Sequence, residues 1–175
     1  MKTQLNTEPI LVQDTREPQK GSWGEYFQEP PLIATLPTGD FSICGCENLI
    51  AIERKTVGDL IQCLSHERDR FEAELKRAAR IHTFYVIFEG RYSEIARGQY
   101  RSNMTPKSAW ESLMAFQERY KIPFLAGENV FVAASMAETI LFRWYREHAK
   151  AIEQAMKGRA KATDSIESRY PPMPF

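Results

Sequence analysis

The chain has 175 residues, 43% of them apolar, and its 23 Lys and Arg balance 23 Asp and Glu. A domain of that size buries about 70% of its unfolded surface without a disulfide or metal staple. An aromatic content of 11% with zero formal net charge excludes a largely disordered chain. No apolar run approaches the ~18 residues of a membrane span, so no membrane partner is expected. The opening MKTQLNTEPI has no apolar stretch that could serve as a secretory signal, and Cys44, Cys46 and Cys63 make an odd number. Both features predict a cytoplasmic protein that is not secreted. The zero balance hides an asymmetry: residues 1–62 carry five basic against nine acidic side chains, and residues 63–161 carry seventeen against twelve. A carboxylate cluster that becomes neutral on holding a cation would produce an acidic excess of this kind, and so would chance scatter.

In chain order, residues 10–13 predict a short strand ending at Asp14. The next stretch holds Pro18, Gly21, Gly24, Pro30 and Pro31, too many breakers for a regular element, and predicts a long loop. Leu32 to Leu36, Phe41 to Ile43 and Leu49 to Ile52 are of strand length with tight connections, and predict a meander. From Thr56 the period becomes helical. Thr56 with Asp59 resembles a capping box, Leu60, Leu64, Phe71 and Leu75 share a face, and Ser65-His66 marks a break into two helices. Phe84 to Phe88 predicts a buried strand ending at Glu89-Gly90. Thr105-Pro106 opens a helix to about Tyr120, Pro123 to Ala126 is strand-like, and a last helix is expected from about Phe131 to Lys157. Strands first, then alternating helix and strand, predict an α/β fold: a mixed central sheet with helices on both faces. One domain is expected over residues 1–158, followed by a flexible Pro-containing tail over residues 159–175.

The chemistry concentrates in GDFSICGCENLIAIERK. Asp40 follows a turn, Glu53 ends an apolar run, and Lys55, two residues on, projects from the same strand face as Glu53. Two hard carboxylates suit Mg²⁺ or Mn²⁺, and a lysine beside them suits metal-assisted phosphodiester hydrolysis. The pattern by itself is also that of an ordinary ion pair at a strand edge. Around it stand Asp14-Thr15-Arg16-Glu17, Gly39-Asp40-Phe41, Glu53-Arg54-Lys55 and, three residues later, Asp59. This ordered set resembles the G-D-x(n)-E-R-K-x3-D signature of the XPF/Hef-type structure-specific endonucleases. These are similar in turn to the restriction-endonuclease-like PD-(D/E)xK nucleases. Asp59-Leu60-Ile61, Arg68-Asp69-Arg70-Phe71 and Tyr85 to Glu89 extend the resemblance to roughly residues 9–150.

The resemblance implies a restriction-endonuclease-like fold and a metal-dependent DNA endonuclease that leaves a 5′-phosphate and a 3′-hydroxyl. Asp40 and Glu53 would be metal ligands, with the backbone carbonyl of Arg54 a third and Asp14 an added acidic ligand. Lys55 would be the catalytic lysine. Glu17, Asp59, Arg54 and Arg70 would support them. For Asp59, helix capping is an equal alternative, and for Arg70 a helical pair with Glu74 is. Arg54 either contacts phosphate or braces the acidic cluster. DNA, branched or with single-strand/duplex junctions, would be the partner, and the host a bacterium, an archaeon or a phage-infected cell. Family members that cut forks commonly carry a helix-hairpin-helix module for which this chain has no room, so placement of substrate is expected from the nuclease domain or a partner.

Several other residues invite function. Arg91, Arg97 and Arg101 interleave with Tyr92 and Tyr100, a pattern that suits nucleic acid, and Arg16 joins them; a solvated loop would look alike. Trp23, Tyr26 and Phe27 either stack on bases or anchor their loop. Cys44, Cys46, Cys63 and His66 match zinc in number but not in spacing, so incidental thiols are the default. In the last helix Ala133, Ala137, Ile140, Leu141 and Trp144 form an intramolecular face. Phe142, Tyr145, Ala149, Ile152 and Met156 form a second stripe, which predicts a homodimer, since similar nucleases dimerise. Two other functions compete with the endonuclease reading: a non-catalytic DNA-binding or scaffold subunit, and a nuclease acting on single strands or RNA.

Overall fold

The computed structural model describes residues 8–169. Six strands form one sheet: β1 (Leu11–Asp14), β2 (Leu32–Ala34), β3 (Phe41–Ile43), β4 (Ile50–Thr56), β5 (Thr83–Glu89) and β6 (Phe124–Ala126), in the spatial order β2-β1-β3-β4-β5-β6. β3 runs antiparallel to both β1 and β4, whereas β1–β2, β4–β5 and β5–β6 are parallel. The helices are α1 (Val57–Leu64), α2 (Arg68–Ala78), α3 (Tyr92–Arg97), α4 (Pro106–Tyr120) and α5 (Val130–Arg169), and a 3-10 turn, Trp23–Tyr26, interrupts the first long loop. The fold is a mixed α/β sheet of the kind expected. Among the described residues no helix is long and apolar enough to cross a membrane.

The meander expected of the first strands is not formed. β2 does not pair with β3; β1 lies between them. All four residues of β1 are buried, so it needs neighbours on both sides, while Leu32 and Ile33 are exposed and suit an edge. β4 is also longer than the apolar run, because Glu53, Arg54 and Lys55 continue its pairing with β5 through Thr56. Parallel pairing to β5, buried at Val86, Ile87 and Phe88 opposite them, carries the charged residues in the ladder.

Alternation along β4 and β5 separates two packing layers. Ala51, Phe84, Val86 and Phe88 join the core made with α1, α2, α3 and α4. On the other face Phe41, opposite Ile52, stacks on the buried Trp23 at 5.5 Å and meets Phe27 edge-on at 5.3 Å. The α1–α2 break falls at residues 65–67, as Ser65-His66 predicts. Thr105 caps α4 through the Ser108 N–H, with Pro106 in the first turn.

The chain divides into a compact unit that ends at Leu141 and a second that begins at Phe142 within α5. In the first unit Asn129 caps α5 by accepting the Phe131 and Val132 N–H groups at 3.0 Å each, and Ala133, Ala137 and Leu141 are buried as their spacing predicts. In the second, Trp144 stacks on His148 at 4.3 Å. The helix continues to Arg169, past the point where a flexible tail was expected to begin. Pro171, Pro172 and Pro174, and the Ile152 and Met156 side chains of the second stripe, lie outside the described residues.

Candidate active site

Glu53 and Lys55 share the face of β4 that Ala51 turns toward α1 and α2, and Arg54 points to the opposite face. Asp40 precedes β3 and is drawn beside Glu53 by the backbone: its N–H donates to the Ile52 carbonyl at 2.8 Å, and the Arg54 N–H donates to its Oδ2 at 2.7 Å. The turn before it requires glycine. Gly39 has φ +83°, and a Cβ there would stand 3.1 Å from the Ile52 oxygen. Lys55 Nζ donates to Glu53 Oε1 and lies 5.7 Å from the centre of the Phe71 ring. Asp40, Glu53 and Lys55 are therefore brought together, as the sequence predicts.

Their electrostatics show unbalanced charge. Glu53 is 5% exposed. Burial pushes the Asp40 carboxyl up to about 7, against the Arg54 N–H and Lys55, which favour its anion. Burial, then the neighbouring Asp40, raises Glu53 well above the carboxylate range. Burial alone would depress Lys55, but Glu53, Glu74 and Asp40 outweigh it and hold the ammonium above the ordinary lysine range. A carboxylate pair and its lysine are all raised when one cation serves an excess of anions. Each carboxylate also keeps an oxygen, Asp40 Oδ1 and Glu53 Oε2, to which no group donates among the described residues. Among the described residues no buried side-chain polar atom lacks a partner, so these two oxygens reach solvent. Such a donor set fits a hard dication, which commonly takes one or two carboxylates and completes its shell with water and phosphate.

Asp14 is placed differently. It is fully buried, and both its oxygens are taken: Oδ1 by the Arg16 N–H at 2.8 Å and Nε at 2.6 Å, Oδ2 by the Leu36 N–H at 2.6 Å and Arg16 at 3.1 Å. Burial opposes its ionisation, and these donors overcome that and lower its pKa. Among the described residues no three His, Cys, Asp or Glu side chains converge as a metal cluster. Asp14 therefore touches the pair only through the backbone, by its N–H to the Asp40 carbonyl at 2.8 Å. The zinc alternative lacks a convergent set as well. Burial pushes the Cys63 thiol up to about 11 and leaves it a neutral core group.

Arg54 is a brace. Its guanidinium donates to Glu89 at 2.7 Å, Glu17 at 2.5 Å and the Gly21 carbonyl at 3.2 Å, and lies 5.8 Å from the centre of the Trp23 ring. Trp23 Nε1 donates to the same Glu89 oxygen at 2.7 Å, and Ser22 donates to Glu17. The first long loop is thereby fastened to β4 and β5. Asp59 accepts from the Thr56 hydroxyl, and its N–H donates back to Thr56, which makes it a first-turn capping residue. Arg70 pairs with Glu67, not Glu74. Lys55, Asp59, Glu67 and Arg70 all line a cleft of about 340 Å³.

The proposed nucleic-acid residues separate into anchored and open ones. Tyr92 donates to the Phe124 carbonyl and packs edge-on against Phe88 and Trp110. Tyr100 donates to the Met104 carbonyl at 3.1 Å, Arg91 pairs with Glu128 at 2.7 Å, and Arg16 serves Asp14 and the Leu36 carbonyl. Arg97, in the last turn of the short α3, and Arg101 have no ion pair among the described residues.

Residues 13–138 match the ERCC4 domain family. The chain belongs to that family. As an ERCC4 domain it is similar to a solved structure of XPF from Aeropyrum pernix, at 24% identity and a TM-score of 0.61 over 76% of this chain and 60% of that one. It is also similar to XPF from Aeropyrum pernix in complex with DNA, at 25% identity and a TM-score of 0.63 over 79% and 66%. The chain thus spans 60 to 66% of the length of those two. No curated protein matches it. The XPF/Hef-type resemblance carried by the motif blocks is confirmed at the level of family and fold.

Within this ERCC4 domain, sequence reasoning missed Glu89 as the shared acceptor of Arg54 and Trp23. Its signal was a carboxylate closing an otherwise apolar buried strand, immediately before a glycine packed so closely that a Cβ would fall 2.1 Å from Val57. Glu74, which acts on both Asp40 and Lys55 through its charge, had no signal beyond helical spacing.

Proposed function

We propose that this ERCC4 domain is a metal-dependent DNA endonuclease acting at branched or flapped DNA. The observation that carries this reading is the pairing of half-buried Asp40 with buried Glu53, each with one solvent-reaching oxygen, beside Lys55. Asp40 and Glu53 would hold Mg²⁺ or Mn²⁺, with the Arg54 carbonyl and water completing the shell. When bound, the ion supplies Lewis-acid charge to a phosphoryl oxygen and makes its water more acidic. Lys55, kept cationic by three carboxylates, offsets negative charge as it develops on the phosphate and donates a hydrogen bond to the attacking water. The brace of Arg54 on Glu17 and Glu89 fixes the backbone N–H that orients Asp40. Asp14 supports the same end of the sheet through its N–H on the Asp40 carbonyl and would be an added acidic ligand, reaching the ion through water. DNA as partner is supported by family membership and by the DNA complex of a similar XPF; a second copy of the chain is proposed along the distal stripe of α5.

The test is cleavage of end-labelled single-stranded, duplex, splayed, 3′-flap and 5′-flap DNA in Mg²⁺, in Mn²⁺ and in EDTA, with Asp40→Asn alongside. Cutting that needs the metal and is lost in the variant is the expected result. Cutting that persists in EDTA or in Asp40→Asn overturns the assignment, and binding without cutting favours a scaffold subunit.

A further inference from the structure

The cleft beside Lys55 continues into another. Gln62 and Glu67 line both the first cleft and a second of about 610 Å³, whose opposite wall is the α3–α4 loop with Tyr100, Arg101 and Asn103, and whose rim carries His66. The loop is held at several points. Gly98 ends α3 in the left-handed conformation, Tyr100 donates to the Met104 carbonyl, the Met104 N–H donates to Ser102 at 3.1 Å, and Tyr100 and Met104 pack on the core. Arg101 is thus an exposed cation on a fixed backbone, with no carboxylate to neutralise it among the described residues. Gln62, His66 and Asn103 are exposed hydrogen-bonding side chains around it.

We propose that this second cleft binds the phosphodiester backbone of the strand being cut, on one side of the scissile phosphate, with Arg101 on a phosphate and Gln62, His66 and Asn103 as flanking hydrogen-bond partners. The proposal rests on the endonuclease reading of the first cleft. A strand continuous through both clefts runs from Lys55 to Arg101, and contacts of this kind set register without reading sequence. A cation already freed of protein partners gives up no ion pair on meeting a phosphate, which favours Arg101 over the paired Arg70 and Arg91. The ligand is a single strand, because the donors face a recessed groove between two polypeptide walls.

Fluorescence anisotropy of a labelled single-stranded oligonucleotide, with the full chain and Ca²⁺ in place of Mg²⁺, tests it across a salt series. Arg101→Ala should raise Kd about fivefold and flatten the dependence of log K on log salt by about 0.7, the signature of one lost single-strand phosphate contact. Arg80→Ala, the same charge change beyond the opposite end of β5, should alter neither. His66→Gln, which keeps a hydrogen-bonding side chain, should fall between them. If Arg101→Ala and Arg80→Ala coincide in Kd and slope while the wild type cuts DNA, the subsite is overturned and the endonuclease reading stands. If Arg101→Ala shows the loss but no substrate is cut in Mn²⁺, the subsite stands and the endonuclease reading falls. Absence of single-strand binding by the wild type at low salt overturns the subsite, and cleavage of the flap and splayed substrates then decides the endonuclease reading by itself.

Discussion

Glu53 and Lys55 on one face of β4, and Arg54 between them on the other, make a controlled comparison within three residues. The Arg54 face is closed by hydrogen bonds: one guanidinium donates to two carboxylates and a carbonyl, and a tryptophan N–H joins it on Glu89. On the Glu53 face, charge is left open: two carboxylates share one lysine, and each keeps an oxygen toward solvent. The lesson is that the same strand carries a structural network and a reactive one, distinguished by the reach of the cation: Arg54 donates to both of its carboxylates, whereas Lys55 donates to Glu53 alone among the described residues. Substitutions on the two faces should therefore fail in different ways. Glu53→Gln and Lys55→Ala are expected to lower cleavage by about a thousandfold or more while far-UV circular dichroism and the denaturation midpoint stay near wild type. Wild-type rates in either would remove the open face from catalysis.

The closed face should lose stability. Glu89→Ala leaves the half-buried Arg54 guanidinium and the buried Trp23 N–H short of an acceptor, at a cost of about 3 kcal/mol. Glu89→Gln keeps an oxygen for both donors and should recover about half of that. Urea unfolding followed by far-UV circular dichroism measures both, and equal losses would mean that the carboxylate's charge, not its hydrogen bonds, holds the loop.

The open face should instead make the metal-free protein less stable as pH rises. The folded pKa of Asp40, about 7, lies above the 3.8 of an unperturbed aspartate. Its proton is therefore bound more tightly in the folded state. The resulting stability is fully present below the unfolded pKa and is lost as pH rises through about 7. In EDTA the Tm should fall between about pH 4 and pH 7, by roughly 3 °C or more, and level off above that. Asp40→Asn should flatten that slope, and Mn²⁺ should raise the wild-type Tm at the alkaline end but not that of the variant. A Tm that rises with pH in EDTA would show that Lys55 neutralises the pair completely.

Much of this was readable in the chain because it is local. The capped start of α4 at Thr105-Pro106, the break near Ser65-His66 and the alternation that pairs Glu53 with Lys55 are properties of a few adjacent residues. The errors came from long-range pairing. Nothing near Leu32 announces that its strand joins β1 at the sheet edge instead of Phe41 in the middle; that depends on β1 needing two neighbours. Asp14 shows the same limit inside the site. Its motif places it with the metal ligands, but Arg16, two residues away, and the Leu36 N–H, twenty-two away, take both its oxygens. Glu89 escaped notice because its two partners lie 35 and 66 residues away.

The smallest predicted effect concerns the junction that links the open face to α1. Thr56 ends β4 and caps α1 by accepting the Asp59 N–H at 3.1 Å, while its own hydroxyl donates to Asp59 Oδ2 at 2.7 Å. Thr56→Ala removes both bonds and should cost about 1 kcal/mol by urea denaturation, and Thr56→Ser should restore most of it. The same pair of variants separates two roles for Asp59. If its carboxylate only caps the helix, Thr56→Ala lowers stability and leaves cleavage within about twofold of wild type, since Lys55 and Glu53 are held by strand pairing that the cap does not touch. If Asp59 serves the cleft it lines, freeing it from the Thr56 hydroxyl changes the metal concentration needed for half-maximal cleavage, and Thr56→Ser reverses that shift together with the stability.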